Sequence, residues 1–107
     1  MSVLFLRGPL DLIAVDHLRL VVTSLPADAG PIPVRCALVT RLDPVGVAAL
    51  WRLCAEASQR GVRLRLEEMP SRFVNRLRRH PVLAFITADV DEEIFRDPLA
   101  QMAPSER

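Results

Sequence analysis

The strongest constraint on the fold is the stretch of residues 36–66, which predicts one complete βαβ unit. Its parts are an apolar strand at 34–39, a tight turn at 43–46, a helix from about 44 to 60, Gly61 and a second strand at 62–66. Val47, Leu50 and Leu53 recur at helical spacing and form the inner stripe of that helix. Gly61 follows as the residue that commonly ends a helix. A βαβ unit of this kind places two parallel strands in one sheet.

The turn Asp43-Pro44-Val45-Gly46 lies where a βαβ unit usually presents its chemistry, at a helix N-terminus. Asp43 suits the N-cap position, and Pro44 suits the first helical turn. The turn carries no hydroxyl, thiol or imidazole group, and it has too few glycines to cradle a phosphate. We therefore expect neither an enzyme nor a nucleotide-binding protein, and no bound cofactor.

The rest of the chain continues the alternation of strands and helices. Further strands are predicted at residues 3–6 and 82–86, and a third helix opens at Ser71 as N-cap, with a fourth at 91–102. The apolar residues of the first helix recur at helical spacing: Val15, Leu18, Val21, Val22 and Leu25. Residues 7–9 end the first strand, and residues 27–33 form a loop. This order predicts an α/β domain with a mainly parallel sheet of four to five strands and about four helices on its faces. The domain spans residues 1–107, with a core at 3–86 and a frayed tail.

Composition excludes several functional classes. The chain has 107 residues, half of them hydrophobic, and a net charge of +1, so no strong field attracts nucleic acid or an anionic membrane. All 14 basic residues are arginine. No apolar run is long enough to cross a bilayer, and the N-terminus does not have the pattern of a signal peptide. We expect a cytoplasmic location.

Few residues are candidates for catalysis or metal binding. Cys36 and Cys54 lie in apolar segments without a CxxC pattern or a nearby His, so we interpret them as small buried hydrophobic residues. His17 and His80 lie far apart in sequence without an evident acid partner. We expect no catalytic residue and no metal site.

Two groups of residues leave open whether they bind a partner. The arginines of the third helix could form an anion-binding or nucleic-acid-binding patch together with His80; they are Arg72, Arg76, Arg78 and Arg79. We interpret them instead as the solvated face of that helix. Their charge is partly balanced by acidic residues further along the chain, which are Asp89, Asp91, Glu92 and Glu93. Leu12, Ile13 and Leu20 add apolar surface beyond the core stripe of the first helix, which favours a protein partner or a homodimer. Trp51 belongs either to the core or to an interface.

Three segments together resemble the STAS domain family, the fold of anti-sigma factor antagonists and of sulphate-transporter tails. They are LRGPLD at 6–11, VTRLDPVGVAAL at 39–50 and QRGVRLRLEEMPSRFVNRL at 59–77. The family pattern is a strand ending in G-x-L-D, a strand followed by D-S-S-G-L-x-x-L, a helix, G-x-x-L-x-L, and a helix opening with Ser. The resemblance covers roughly residues 3–86.

The resemblance implies a phosphorylation switch that this chain cannot operate in the usual way. In the family, the first hydroxyl residue after the Asp of D-S-S-G is phosphorylated by a partner kinase, which alters binding. Asp43 and Gly46 match the Asp and Gly of that motif, whereas Pro44 occupies the acceptor position and Val45 the second hydroxyl position. Arg35 stands where the family often has an Asp. Because a prolyl ring cannot accept phosphate, we expect no phosphorylation site in this turn.

The resemblance also implies a binding surface and a function. The partner-binding residues would be those of the two adjacent turns: Leu10, Asp11, Leu12, Arg41, Asp43, Pro44, Val45, Gly46 and Val47. The expected function is that of a non-enzymatic protein-interaction module, similar to an anti-sigma factor antagonist that binds an anti-sigma factor or kinase-like partner. The alternative is a non-catalytic STAS subunit of a membrane lipid ABC transport complex, which docks on its ATPase.

Overall fold

The computed structural model describes residues 3–27 and 30–86, which form three parallel strands, three α-helices and one 3-10 helix. In chain order these are β1 (Leu4–Leu10), α1 (Leu12–Thr23), β2 (Gly30–Leu42), α2 (Pro44–Gln59), β3 (Val62–Glu67), α3 (Ser71–Leu77) and the 3-10 helix (Pro81–Phe85). The predicted α/β class is confirmed. Within the described residues the sheet has three strands, fewer than the four to five expected, and the predicted helix at 91–102 with its tail lies outside them.

The sheet has the order β1-β2-β3, and both strand pairs are parallel. Each crossover between neighbouring strands contains a helix, α1 in the first and α2 in the second. The two helices pack against each other, and α1 contacts β1 while α2 contacts β3. Both helices therefore cover the same face of the sheet, and the carboxyl ends of β1 and β2 lie side by side.

The core lies between this helix pair and the sheet. On β3, Val62, Leu64 and Leu66 are buried, whereas Arg63 and Arg65 between them are exposed. This alternation is typical of a strand covered on one face only. The sequence predicts helices on the faces of the sheet, but in the part of the chain that the structure describes Leu38 of β2 is exposed on the second face.

The first strand is longer than predicted. Residues 7–9 do not end it, because β1 continues to Leu10. Gly8 adopts a positive φ of 73°, which glycine tolerates, and the register with β2 shifts on either side of this segment. At both shifts the extra residue lies on β2, so the Gly-Pro pair stands inside β1 opposite a bulge of the neighbouring strand and does not end β1.

The loop expected at residues 27–33 is largely strand. β2 begins at Gly30 and pairs there with Val62 of β3, while pairing with β1 begins only at Val34. Pro31 and Pro33 thus lie where β2 has a single neighbour, and a residue without an N–H is tolerated in such an edge position. The prolines indicated a loop in the sequence, because only the assembled sheet shows that this part of β2 is an edge with one neighbouring strand.

The strand predicted at residues 82–86 is also wrong. Residues Pro81–Phe85 form the 3-10 helix, and only Ile86 bridges β3, at Leu66. The N–H of Val82 donates to Nδ1 of His80 at 3.1 Å, which caps this short helix at its start. The capped turn leaves a single bridge where an apolar run had suggested a full strand.

The helix ends were predicted with mixed success. Asp43 is the N-cap of α2, and Gly61 directly after the helix has a φ of 86°, as expected. Ser71 does not cap α3: Pro70 holds the cap position without a side-chain bond, and Ser71 is the first helical residue. None of the helices formed by the described residues combines the length and apolarity that a bilayer crossing requires.

Candidate functional site

Two turns at the carboxyl edge of the sheet are joined directly by their backbones. Leu10 at the end of β1 is paired with Leu42 at the end of β2. The N–H of Asp43 then donates to the carbonyl oxygen of Leu10 at 3.1 Å. The residues that begin α1 and α2 consequently lie side by side, as the family resemblance implies.

The two aspartates of these turns are structural caps. Oδ1 of Asp11 accepts a hydrogen bond from the N–H of Ala14 at 2.9 Å, which caps α1. Oδ1 of Asp43 accepts one from the N–H of Val45 at 3.0 Å, which caps α2. These bonds satisfy N–H groups that a helix start otherwise leaves unpaired. Each carboxylate thus has a structural task in the turn that contains it.

Gly46 permits the close contact between the two turns. A Cβ atom at this position would lie 2.3 Å from the carbonyl oxygen of Leu10 and 2.5 Å from Cα of Asp11. Both are backbone atoms, so no side-chain rotation could relieve the overlap. The glycine of the D-x-x-G pattern is therefore required by the approach of α2 to the first turn.

The predicted partner-binding residues divide into exposed and buried sets. Val45 is 60% exposed and Leu12 47% exposed, and Arg41 and Pro44 are also exposed, with Asp11 and Asp43 half-buried between them. We call these six residues the turn surface: Asp11, Leu12, Arg41, Asp43, Pro44 and Val45. Leu10, Gly46 and Val47 are buried, so they support this surface from below and do not present side chains to a partner.

A pocket beside the turn surface was not anticipated from the sequence. It has a volume of about 280 Å³ and lies between the start of α2 and the end of α3. Its lining comprises Leu42, Pro44, Val47, Arg76, Leu77 and His80, and we call it the α2–α3 pocket. Arg76 and His80 had been assigned to a solvated helix face, because nothing in their spacing indicates that α3 ends near Pro44.

Arg35 lies outside this site. Its Nη1 donates to Oε2 of Glu68 at 3.0 Å, and its Nε lies 3.5 Å from Oε1 of Glu67. Arg35 is also the register partner of Glu67 across β2 and β3. The residue that replaces a family Asp therefore ties the end of β3 to the middle of the sheet.

The two cysteines are buried, as predicted, and neither forms a disulfide. Burial raises the pKa of both thiols from 9.0 to about 12, and the neighbouring Cys54 thiol adds to the shift at Cys36. At neutral pH both groups remain protonated, and a thiol is a much weaker nucleophile and metal ligand than a thiolate. The described residues also contain no group of three or more His, Cys, Asp or Glu that could hold a metal ion.

Apolar side chains are also exposed away from the two turns. Ile13 and Leu20 are 66% and 70% exposed on α1, and Trp51 is 38% exposed on α2. The interface interpretation of Trp51 is thus compatible with its position, although much of the ring packs against the protein. Ile13 and Leu20 thus add exposed apolar surface to α1 beyond Leu12.

Comparison with known proteins supports the resemblance. A family model described as "Mlab, STAS domain" matches residues 1–83. The STAS domain of a SulP transporter from Vibrio cholerae has a TM-score of 0.68 and 19% identity, covering 83% of this chain and 70% of that chain. A sulfate transporter family protein from Wolinella succinogenes has a TM-score of 0.68 and 24% identity, covering 78% of this chain and 70% of that chain.

The two solved structures support the fold alone at these identities. No curated protein is significantly similar in sequence to this chain. The family match at residues 1–83 includes the whole turn surface and the residues that line the α2–α3 pocket.

Proposed function

The chain belongs to the STAS domain family, and from this premise we propose that it is a non-catalytic protein-interaction module whose partner binds the turn surface. One observation carries the proposal: the residues exposed at the start of α2 are Pro44 and Val45, while the carboxylate beside them caps the helix. An exposed apolar turn with its polar groups already bonded is suited to contact with another protein. We place this module in the cytoplasm.

At a finer level, we propose that the module acts like an anti-sigma factor antagonist that is not phosphorylated at the usual turn. Pro44 and Val45 carry no hydroxyl, so charge cannot be added to this position by a kinase. Contact with the partner would then be lasting rather than switched. We expect no phosphate on residues 43–46 after incubation with a cognate kinase, which intact-mass measurement and peptide mapping would check.

We also propose a second role as the alternative, which the description of the matching family model suggests. The matching family model carries the description "Mlab, STAS domain". In this role the same turn surface would dock on the ATPase of a membrane lipid ABC transport complex. The two roles share the surface and differ in the partner.

The experiment that tests the surface compares two charge-changing variants in a pull-down from the native organism. Val45→Asp places a charge on the exposed turn and should abolish capture of the partner. Arg79→Glu, an equally exposed change beyond α3, should leave capture intact. Both variants should keep the far-ultraviolet circular dichroism spectrum and thermal midpoint of the parent, because both side chains are exposed.

The identity of the captured protein separates the two roles. An anti-sigma factor or kinase-like protein supports the first role, and an ABC ATPase supports the second. If Val45→Asp captures its partner normally while Arg79→Glu does not, the interaction surface is the basic end of α3 and the proposal is wrong.

A further inference from the structure

The α2–α3 pocket combines an apolar wall with two nitrogen-bearing side chains. Leu42, Val47 and Leu77 supply the apolar wall, from β2, α2 and α3 respectively. Arg76 and His80 supply the polar groups, from the last turn of α3 and the segment that follows it. No Asp or Glu lines the pocket. The lining thus combines apolar side chains with two side chains that can donate hydrogen bonds.

The hydrogen bonding of His80 fixes which ring nitrogen can act as a donor. Nδ1 accepts the bond from the N–H of Val82, so it must keep its lone pair free for that bond. In the neutral ring the proton therefore resides on Nε2, which donates. Arg76 adds a permanently charged guanidinium with several N–H groups in a planar fork. Both side chains offer donors, which match an acceptor such as a carboxylate.

The charges near the pocket favour the same ligand. Arg41 is exposed at the end of β2, close to Leu42 and Pro44 in the chain. Asp43, the acidic residue next to this group, directs Oδ1 to the N–H of Val45 in its own helix. Arg41 and Asp43 carry opposite charges beside the pocket, so the charge that is complementary to a carboxylate comes from the lining residue Arg76.

The size of the pocket limits what can occupy it. Its volume of about 280 Å³ lies just below the range of roughly 300–1,000 Å³ that is usual for cofactors and other small-molecule ligands. One or two side chains of a protein partner fit a space of this size. The position beside Pro44 places such side chains at the border of the turn surface.

We propose that the α2–α3 pocket receives an acidic residue of the protein partner together with an apolar residue next to it. The carboxylate binds Arg76 and His80, and the apolar side chain packs on Leu42, Val47 and Leu77. This inference rests on the proposed function, because it assigns a partner segment to the border of the turn surface. It adds to the proposed function that the partner segment must carry a carboxylate next to an apolar side chain.

The test is a titration of the ¹⁵N-labelled 107-residue chain with 3-phenylpropionate, which joins an apolar ring to a carboxylate. We expect saturable amide shifts around Leu42, Val47, Leu77 and His80. The uncharged 3-phenylpropionamide should bind about tenfold more weakly or not at all, since a charged hydrogen bond is lost. Inorganic phosphate should not reproduce the shifts; if it binds as well as 3-phenylpropionate, the site is a general anion site and the proposal is wrong.

Matched arginine variants locate the binding. Arg76→Gln should weaken 3-phenylpropionate binding by about tenfold or more, because the guanidinium is removed. Arg79→Gln removes an exposed arginine that does not line the pocket and should leave binding unchanged. Equal effects of the two variants, or shifts confined to other parts of the protein, would overturn the proposal.

The acidic residues of the chain itself are an alternative occupant. A variant with Asp89, Asp91, Glu92 and Glu93 changed to their amides should bind the probe as the parent does. If its affinity rises about tenfold, this segment competes for the pocket and the assignment to a partner is wrong.

Failure of this inference differs from failure of the proposed function. Val45 does not line the pocket, so Val45→Asp should bind 3-phenylpropionate normally while losing the partner. If the protein does not bind 3-phenylpropionate, the inference about the pocket is wrong. If Val45→Asp still abolishes partner capture in that case, the proposal about the turn surface remains supported.

Discussion

At the scale of single residues, the site depends on one glycine whose role is steric. Gly46 lies inside the first turn of α2 without a positive φ, so conformational freedom does not explain its presence. Helix propensity alone would favour Ala there by about 0.5–1 kcal/mol. The backbone of Leu10 and Asp11 occupies the space that a methyl group would need. The contact between turns therefore outweighs the local preference.

Gly46→Ala should destabilise the protein by about 1–3 kcal/mol or prevent folding, because α2 must move away from the first turn. Ala48→Gly is the matched control on the exposed side of the same helix and should cost about 0.5–1 kcal/mol, since it changes only helix propensity. Urea unfolding of both variants checks the contrast. A Gly46→Ala protein as stable as the parent would contradict the steric explanation.

At the scale of elements, the start of α2 combines two independent helix-starting features. Asp43 accepts the Val45 N–H through its side chain, and Pro44 has the backbone angle of a first helical residue and lacks an N–H that would need a partner. In the resembling family a hydroxyl residue occupies the position of Pro44. Here proline meets the structural requirement of a helix start at that position, and we propose that the position is not phosphorylated.

Asp43→Ala should lower the free energy of unfolding by about 0.5–2 kcal/mol, because the Val45 N–H loses its acceptor. Asp43→Asn keeps an oxygen at the same place, so its cost should be smaller than that of Asp43→Ala. Denaturant midpoints of the three proteins test this order. Equal midpoints for the parent and Asp43→Ala would show that the cap contributes nothing.

At the scale of the whole molecule, the core holds two thiols in a chain without other groups that titrate at high pH. The chain has no tyrosine and no lysine, the other side chains that usually titrate in the range where thiols do. The folded state raises the pKa of Cys36 and Cys54 from 9.0 to about 12. Between these values the unfolded chain releases protons that the folded protein keeps.

Stability should therefore be independent of the thiols below about pH 9 and fall as the pH rises toward 12. The expected slope is about 1.4 kcal/mol per pH unit for each thiol. The double variant Cys36→Ala with Cys54→Ala should be less stable at neutral pH because of the volume lost, and it should lack the slope. Thermal or denaturant unfolding across this range measures both; parallel curves would contradict the assignment.

The sequence by itself determined the βαβ unit and the α/β class. Strong local signals carry these features: the helical spacing of Val47, Leu50 and Leu53, the cap at Asp43 and Gly61 after α2. Burial of the cysteines also followed from their apolar neighbours. Such features depend on residues close together in the chain, which is why pattern and propensity sufficed.

Only the tertiary structure decided the features that depend on which segments meet. Pro31 and Pro33 are tolerated as strand residues because β1 does not reach them, and Gly8 lies inside β1 because the strand continues to Leu10 past a bulge of β2. The packing that buries Leu10 and Val47 leaves Val45 and Pro44 exposed. The α2–α3 pocket exists because a short helix brings Arg76 and His80 beside Pro44, more than thirty residues earlier in the chain. Contacts at that separation leave no periodic signal in the sequence, since they are selected by packing and not by local conformation.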